Sequence, residues 1–190
     1  MSGFHELPPD LPIPEDDGAA DHLPGRELPA ITLPSTAGAI SLGALDGLLV
    51  LYVYPRTGVP GVPLPPGWDQ IPGARGCTPE SCGFRDHAAE LGQLGASVIG
   101  LSAQPLAEQR EFGERERIPY PIISDPELRL AAALQLPTFA IAGMTLYKRL
   151  TLVVERGRVV HVFYPVFPPD SHAAEVAAWL RERRAEALAR

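Results

Sequence analysis
Proline decides where this chain can be regular, because its ring fixes φ and removes a backbone donor. Seventeen of the 22 prolines fall in three places: seven in residues 1–34, seven in 55–79 and three in 165–169. These stretches read as arm, loop and turn, which confines regular structure to the spans between them. Hydrophobic residues make up 45% of the 190-residue chain, enough for a core, and there is neither a collagen period nor a Gly/Ser repeat. One α/β domain with irregular attachments fits these limits.

The formal net charge of −7 is concentrated at one end. Residues 1–27 hold seven acids and one Arg, whereas residues 28–190 hold 16 acids and 15 basic residues. Residues 1–27 read as an acidic, Pro-rich N-terminal extension, disordered or draped over the surface, with few large apolar groups to offset ordering entropy. The body, 28–190, is nearly neutral and has no basic stripe to neutralise phosphates, so no nucleic-acid partner is expected. No apolar run approaches the ~18 residues of a membrane span. The start lacks the basic and apolar regions of a secretory signal. A cytoplasmic protein with no membrane partner is expected.

Apolar patterning sets the elements. Ala30–Leu33 and Ala39–Leu42 read as short strands; Leu48–Tyr54 (LLVLYVY), Ser97–Ser102 (SVIGLS) and Tyr120–Ser124 read as buried ones. Helices are expected at Thr78–Leu94, Pro105–Arg117 and Pro126–Leu134, with a last one capped by Asp170 or Ser171. Leu150–Glu155 and Val159–Phe163 form a hairpin about Arg156-Gly157-Arg158. The alternation gives an α/β fold with a central mixed sheet flanked by helices, its parallel strands joined by helices and its antiparallel strands added by the last hairpin. Between Tyr54 and Cys77 lies a connection with five Gly and six Pro. It exceeds the ~12–15 residues beyond which structureless connections become uncommon.

Both cysteines, Cys77 and Cys82, sit within six residues at the start of the Thr78–Leu94 helix. Thr78 is placed to cap it, with Pro79 at the first helical position and Glu80 at the positive end of the dipole. Free helix N–H groups and Arg75 favour a thiolate at Cys77, and the thiolate is the nucleophile. Two small, unreactive core cysteines would show the same local pattern.

The run Tyr54-Pro55-Arg56 followed by GCTPESCGFRD at 76–86 resembles the peroxiredoxins, most closely the bacterioferritin-comigratory or Q-type group. VIGLSAQP, PIISDPELRLAAAL and KRLTLVVERGRVVHVF follow in that family's order. The resemblance covers roughly residues 28–182 and implies a thioredoxin-like fold. It makes Cys77 the peroxidatic cysteine, Cys82 the resolving one and Arg149 the active-site arginine. Without it, Arg149 reads as a surface charge beside Lys148. The sequence departs from the family at one point. Where the motif has Pro and Thr or Ser shortly before the peroxidatic Cys, this chain has Gln70 and Ala74. Its Tyr54-Pro55 and Thr57 come earlier, so residues 56–76 form an enlarged active-site loop. Thr57 folding back, or Thr78, would supply the missing hydroxyl.

The implied reaction is reduction of hydrogen peroxide or organic hydroperoxides, with Pro55, Thr78 and Trp68 around the substrate. Trp68 would cover the pocket or pin the loop to the body. Attack leaves a sulfenic acid on Cys77, and Cys82 closes a disulfide that a thioredoxin-type reductant reopens. On an intact helix, residues five apart are separated by about 7.5 Å along the axis, too far for a disulfide. The first turns must therefore unwind, which Pro79 and Gly83 favour. A monomer or homodimer is expected. No cofactor or metal is needed, and +5 spacing disfavours a Cys77/Cys82/His87 cation site. His161 reads as structural; His5, His22 and His172 read as surface groups. The alternative is a non-enzymatic thioredoxin-like redox sensor or binding module.

Overall fold
The computed structural model describes residues 4–189. β1 (Thr32–Ser35) and β2 (Gly38–Ser41) form a hairpin, followed by β3 (Leu48–Val53). The Pro/Gly connection then runs, with one short 3-10 turn at Trp68–Gln70, into α1 (Cys77–Gln93). β4 (Ala96–Ser102), α2 (Leu106–Arg115), β5 (Ile122–Ser124) and α3 (Arg129–Leu134) continue the alternation. A second hairpin, β6 (Thr138–Ile141) with β7 (Met144–Tyr147), precedes β8 (Leu150–Glu155), β9 (Arg158–Phe163) and α4 (His172–Leu188).

Seven strands form one sheet in the order β2-β1-β5-β4-β3-β8-β9. β3, β4 and β5 run parallel, and all the other pairings are antiparallel. The sheet is thus mixed, as expected, with antiparallel strands at both edges and not only from the last hairpin. A helix crossover joins each parallel pair, whereas β1–β2 adds to the β5 edge and β8–β9 to the β3 edge as hairpins. β6 and β7 form a separate two-stranded sheet that apolar patterning did not reveal. Ala142 and Gly143 turn it with φ of 49° and 77°, a two-residue left-handed turn without the usual Asn-Gly or Asp-Gly signal.

β3 shows why the middle of the sheet is apolar throughout. Leu49, Leu51 and Val53 face one core with Leu101, Leu130, Leu134 and Leu152; Val50, Tyr52 and Tyr54 face the other with Phe84, Leu91, Phe112 and Val176. α1, α2 and α4 cover this second face, and α3 covers the first. The pleat sends alternate side chains to opposite layers, so a strand covered on both sides needs no polar positions.

The acidic arm is fastened to the body. Ala20 and Leu23 enter the first core, Val159 exchanges backbone hydrogen bonds with Gly25 and Arg26, and Asp17 meets both Lys148 and Tyr164 at 2.7 Å. Further back, the Phe4 ring lies against Gly58, where an added Cβ would sit 2.2 Å from the ring. Leu7 lies against Gly76 in the same way.

Candidate active site
α1 begins two residues earlier than the Thr78 cap anticipates. Gly76 is the residue before the first turn, with φ of +104° and no side-chain cap. A side chain there is excluded twice over: the backbone is left-handed, and a Cβ would lie 2.4 Å from Pro169 and 2.8 Å from Leu7. Glycine at 76 therefore makes Cys77 the first helical residue. Pro79 falls at the third position, still among the N–H groups that have no intrahelical partner, so its missing donor costs nothing.

Cys77 is buried, and its sulfur is 3.1 Å from Arg149 Nη2. The backbone N–H of Arg56 also reaches it, and the thiol can donate to Ala74 O at 3.6 Å. Arg149, directly before β8, is 3% exposed rather than a surface charge. Its guanidinium donates to the carbonyls of Gly73, Ala74 and Arg75 at 3.1–3.2 Å and to the Glu80 carboxylate. Glu80, which the sequence suggests only as a dipole partner, is fully buried. Its Oε1 has no hydrogen-bond partner among the described residues.

Burial pushes the Cys77 thiol above its ordinary range; the Arg149 guanidinium opposes this, Glu80 adds to it, and the Arg56 amide pulls it back. The electrostatic lever on the thiol is thus Arg149 and not the neighbouring Arg75, whose guanidinium meets Asp69 at 3.1 Å. Burial likewise raises the Glu80 carboxyl, against the pull of Arg149.

Pro55 and Thr57 are buried beside the site. The Thr57 hydroxyl and amide both donate to Gln104 Oε1, at 3.1 and 2.9 Å. Among the described residues the donors to the sulfur are the Arg149 guanidinium and the Arg56 amide rather than the hydroxyl of Thr57 or Thr78. Thr78 and Trp68 do line the space over Cys77, with Phe4, Arg56 and Leu64. That space measures about 10 Å³. Trp68 also packs on Phe139 and Leu146 of the β6–β7 hairpin, so it pins the loop as well as bordering the sulfur. A larger cavity of about 290 Å³ reaches Arg149 from beside Ile71, Phe139, Tyr164 and Val166.

Cys82 occupies a different environment. It is nearly buried, and its thiol faces Glu116 Oε2 at 3.7 Å. Burial first and the Glu116 carboxylate second push it up to about 11, against the pull of Arg85. Both cysteines are free thiols. His87 bonds its own helix at Gly83 O, and His161 stacks on Trp179. His172 is not a surface group: it is 1% exposed, between Thr151 and Glu175 and edge-on to Phe84 and Phe163. Sequence reasoning also missed Gln104, Glu116 and Phe4, none of which carries a local signal.

A buried thiol on the first turn of a helix, facing a buried guanidinium at the end of a mixed sheet, defines a thioredoxin-like thiol site. The redoxin family matches residues 23–178. A Mycobacterium tuberculosis protein named as a peroxiredoxin is 33% identical over 165 residues, 86% of this chain and 96% of its own. The crystal structure of peroxidoxin BcpB from the same organism matches with a TM-score of 0.66 at 31% identity, over 84% of this chain and 97% of that one. A peroxiredoxin Q variant from Xylella fastidiosa, at 22% identity, shares the fold with a TM-score of 0.69 over 86% of this chain and 98% of its own. The chain belongs to the redoxin family and, within it, to the peroxiredoxins of the bacterioferritin-comigratory or Q type, which are thiol peroxidases.

Proposed function
We propose that Cys77 is the peroxidatic cysteine, Cys82 the resolving cysteine and Arg149 the group that stabilises charge during peroxide attack. The observation that carries this is the 3.1 Å contact between Arg149 Nη2 and Cys77 Sγ, with both groups buried at the head of α1. The Cys77 thiolate attacks one peroxide oxygen in line with the O–O bond. Negative charge passes from sulfur to the leaving oxygen, which departs as water or an alcohol after taking a proton. A donor fixed beside the sulfur lowers this barrier because it needs no reorganisation. Arg149 stays charged throughout, and the carbonyls of residues 73–75 together with Glu80 hold its position. Pro55, Thr78 and Trp68 border the peroxide. Thr57, through Gln104, fixes the backbone beside the Arg56 amide.

Cys82 then condenses with the sulfenic acid on Cys77, forming the S–S bond and releasing water. A thioredoxin-type reductant restores both thiols. The substrates are hydrogen peroxide or organic hydroperoxides, and the chain acts in the cytoplasm as a monomer or homodimer. The acidic extension 1–27 precedes the catalytic domain 28–190, which carries the 56–76 loop as an insertion at its active site. The test is peroxide consumption with a thioredoxin system. Many equivalents per protein are expected, lost in Cys77→Ser and reduced to one equivalent in Cys82→Ser. A single equivalent from the wild type would indicate a redox sensor instead, and full recycling in Cys82→Ser would remove that residue from its role.

A further inference from the structure
Two ligands of different chemistry meet beside the Cys82 thiol. Glu116, just past α2, turns Oε2 towards Cys82 Sγ at 3.7 Å, and Nε2 of His5 from the N-terminal arm lies 3.4 Å from Glu116 Oε1. The three ligand atoms all lie within 4.8 Å of one another. We propose that Cys82, Glu116 and His5 form a site for a borderline-soft divalent cation of the zinc type, with solvent in the fourth position.

The donor set suits that class, since zinc takes thiolate, imidazole and carboxylate together and keeps an open position when three protein groups bind it. Bonds of about 2.0–2.3 Å in tetrahedral geometry set ligand atoms about 3.5 Å apart, against separations of up to 4.8 Å here. His5 is half exposed on a chain end, so its ring can swing the remaining distance. Of the nearby cations, Arg85 pairs with Asp86 at 2.8 Å, whereas Arg115 divides between Glu111 at 2.8 Å and Glu116 Oε1 at 2.5 Å; Glu116 Oε2, which faces Cys82, is the oxygen offered to the metal. Binding breaks the Cys82 S–H bond, sends the proton to solvent and forms a sulfur–metal bond.

Two consequences follow, and both rest on the peroxidase reading. The cation withholds the resolving thiol, and it ties the arm to α1 across the turns that must unwind. Condensation of Cys82 with a sulfenic acid on Cys77 transfers the sulfur into the S–S bond. It expels hydroxide, which takes a solvent proton, and frees the cation. Zinc would therefore slow recycling, and peroxide would discharge zinc.

The full-length reduced protein, freed of thiol reductant, is titrated with Zn2+ against a chromophoric chelator. One equivalent is expected to bind. Affinity should fall at least tenfold in His5→Ala and Glu116→Gln, vanish in Cys82→Ser and persist in Cys77→Ser. Co2+ in place of zinc should show thiolate-to-metal charge-transfer absorption in the wild type and not in Cys82→Ser. Equal zinc affinity in His5→Ala, a substitution on the exposed arm that does not threaten folding, overturns the site; so does zinc that survives Cys82→Ser. With thioredoxin present, zinc should slow wild-type turnover at least tenfold and leave His5→Ala unaffected. If the metal-free wild type consumes no peroxide, the peroxidase reading falls, whereas the titrations still decide the site.

Discussion

Arg149 answers to two partners with opposite effects on Cys77. Its own charge draws the thiol down, whereas the Glu80 carboxylate on its other side drives the thiol up. Arg149→Met should therefore move the pH midpoint of Cys77 alkylation in the alkaline direction, and Glu80→Gln should move it in the acid direction. Midpoints that shift together would refute this electrostatic division. Arg149→Met should also slow oxidation of Cys77 by roughly 10²–10³-fold, the usual cost of one fixed donor. Its stability should drop by about 3–5 kcal/mol, because Glu80 is left buried without its partner. Adding Glu80→Gln to Arg149→Met should restore much of the denaturant midpoint and none of the rate. The cysteines and Arg149 were legible in the sequence because they lie in recognisable local strings. Glu80, Gln104 and Glu116 were not, since each acquires its meaning from a residue far along the chain: Arg149 is 69 residues from Glu80, and Gln104 is 47 from Thr57.

At the level of elements, α1 is both the support of Cys77 and the obstacle to the proposed disulfide with Cys82. The helix runs unbroken from Cys77 to Gln93, and its second turn is tied down from the sheet: Tyr120 Oη donates to Ser81 O at 2.8 Å, and Tyr52 Oη to Ser81 Oγ at 3.0 Å. If Cys82 resolves Cys77 as proposed, oxidation must undo these contacts. Amides of residues 81–86 should exchange much faster in the disulfide form than in the reduced form, as read by hydrogen–deuterium exchange; an oxidised protein with those amides still protected would sink the unwinding step. Gly83 offers a finer probe. A Cβ there would meet Asp170 O at 3.4 Å and Ala173 Cβ at 3.5 Å, ordinary contacts. Gly83→Ala should favour the wound helix by about 0.5–1 kcal/mol and slow disulfide formation roughly 2–5-fold, with sulfenic acid formation unchanged in stopped-flow. The long apolar and amphipathic elements were readable because period and length agree over many residues. The β6–β7 hairpin was not: its strands are four residues each, and its Ala-Gly turn carries a weak signal. The α1 cap was misplaced for a related reason, since a left-handed glycine fixed by Pro169 and Leu7 outweighs a capping hydroxyl that only the local sequence suggests.

Across the whole molecule, the arm does two jobs at its two ends. Leu23 is wholly buried in the first core, so Leu23→Ala should cost about 2–5 kcal/mol, as large-to-small core substitutions do, and lower the thermal midpoint. Phe4 is only partly buried and lies over the active-site loop, on Gly58 and within 5.9 Å of the Arg75 guanidinium. Its ring helps close the space over Cys77 to about 10 Å³, less room than a bulky hydroperoxide needs. Composition alone pointed to an acidic arm short of apolar groups; it could not show that two of the few it has are placed with such different effects. Phe4→Ala should leave the thermal midpoint nearly unchanged and widen the approach to the sulfur. Oxidation of Cys77 by cumene hydroperoxide should then accelerate several-fold more than oxidation by hydrogen peroxide, because the small substrate gains least from added room. A ratio of the two rates that does not move would mean that peroxide reaches Cys77 by another route, and the neighbouring 290 Å³ cavity on Arg149 is the one the structure offers.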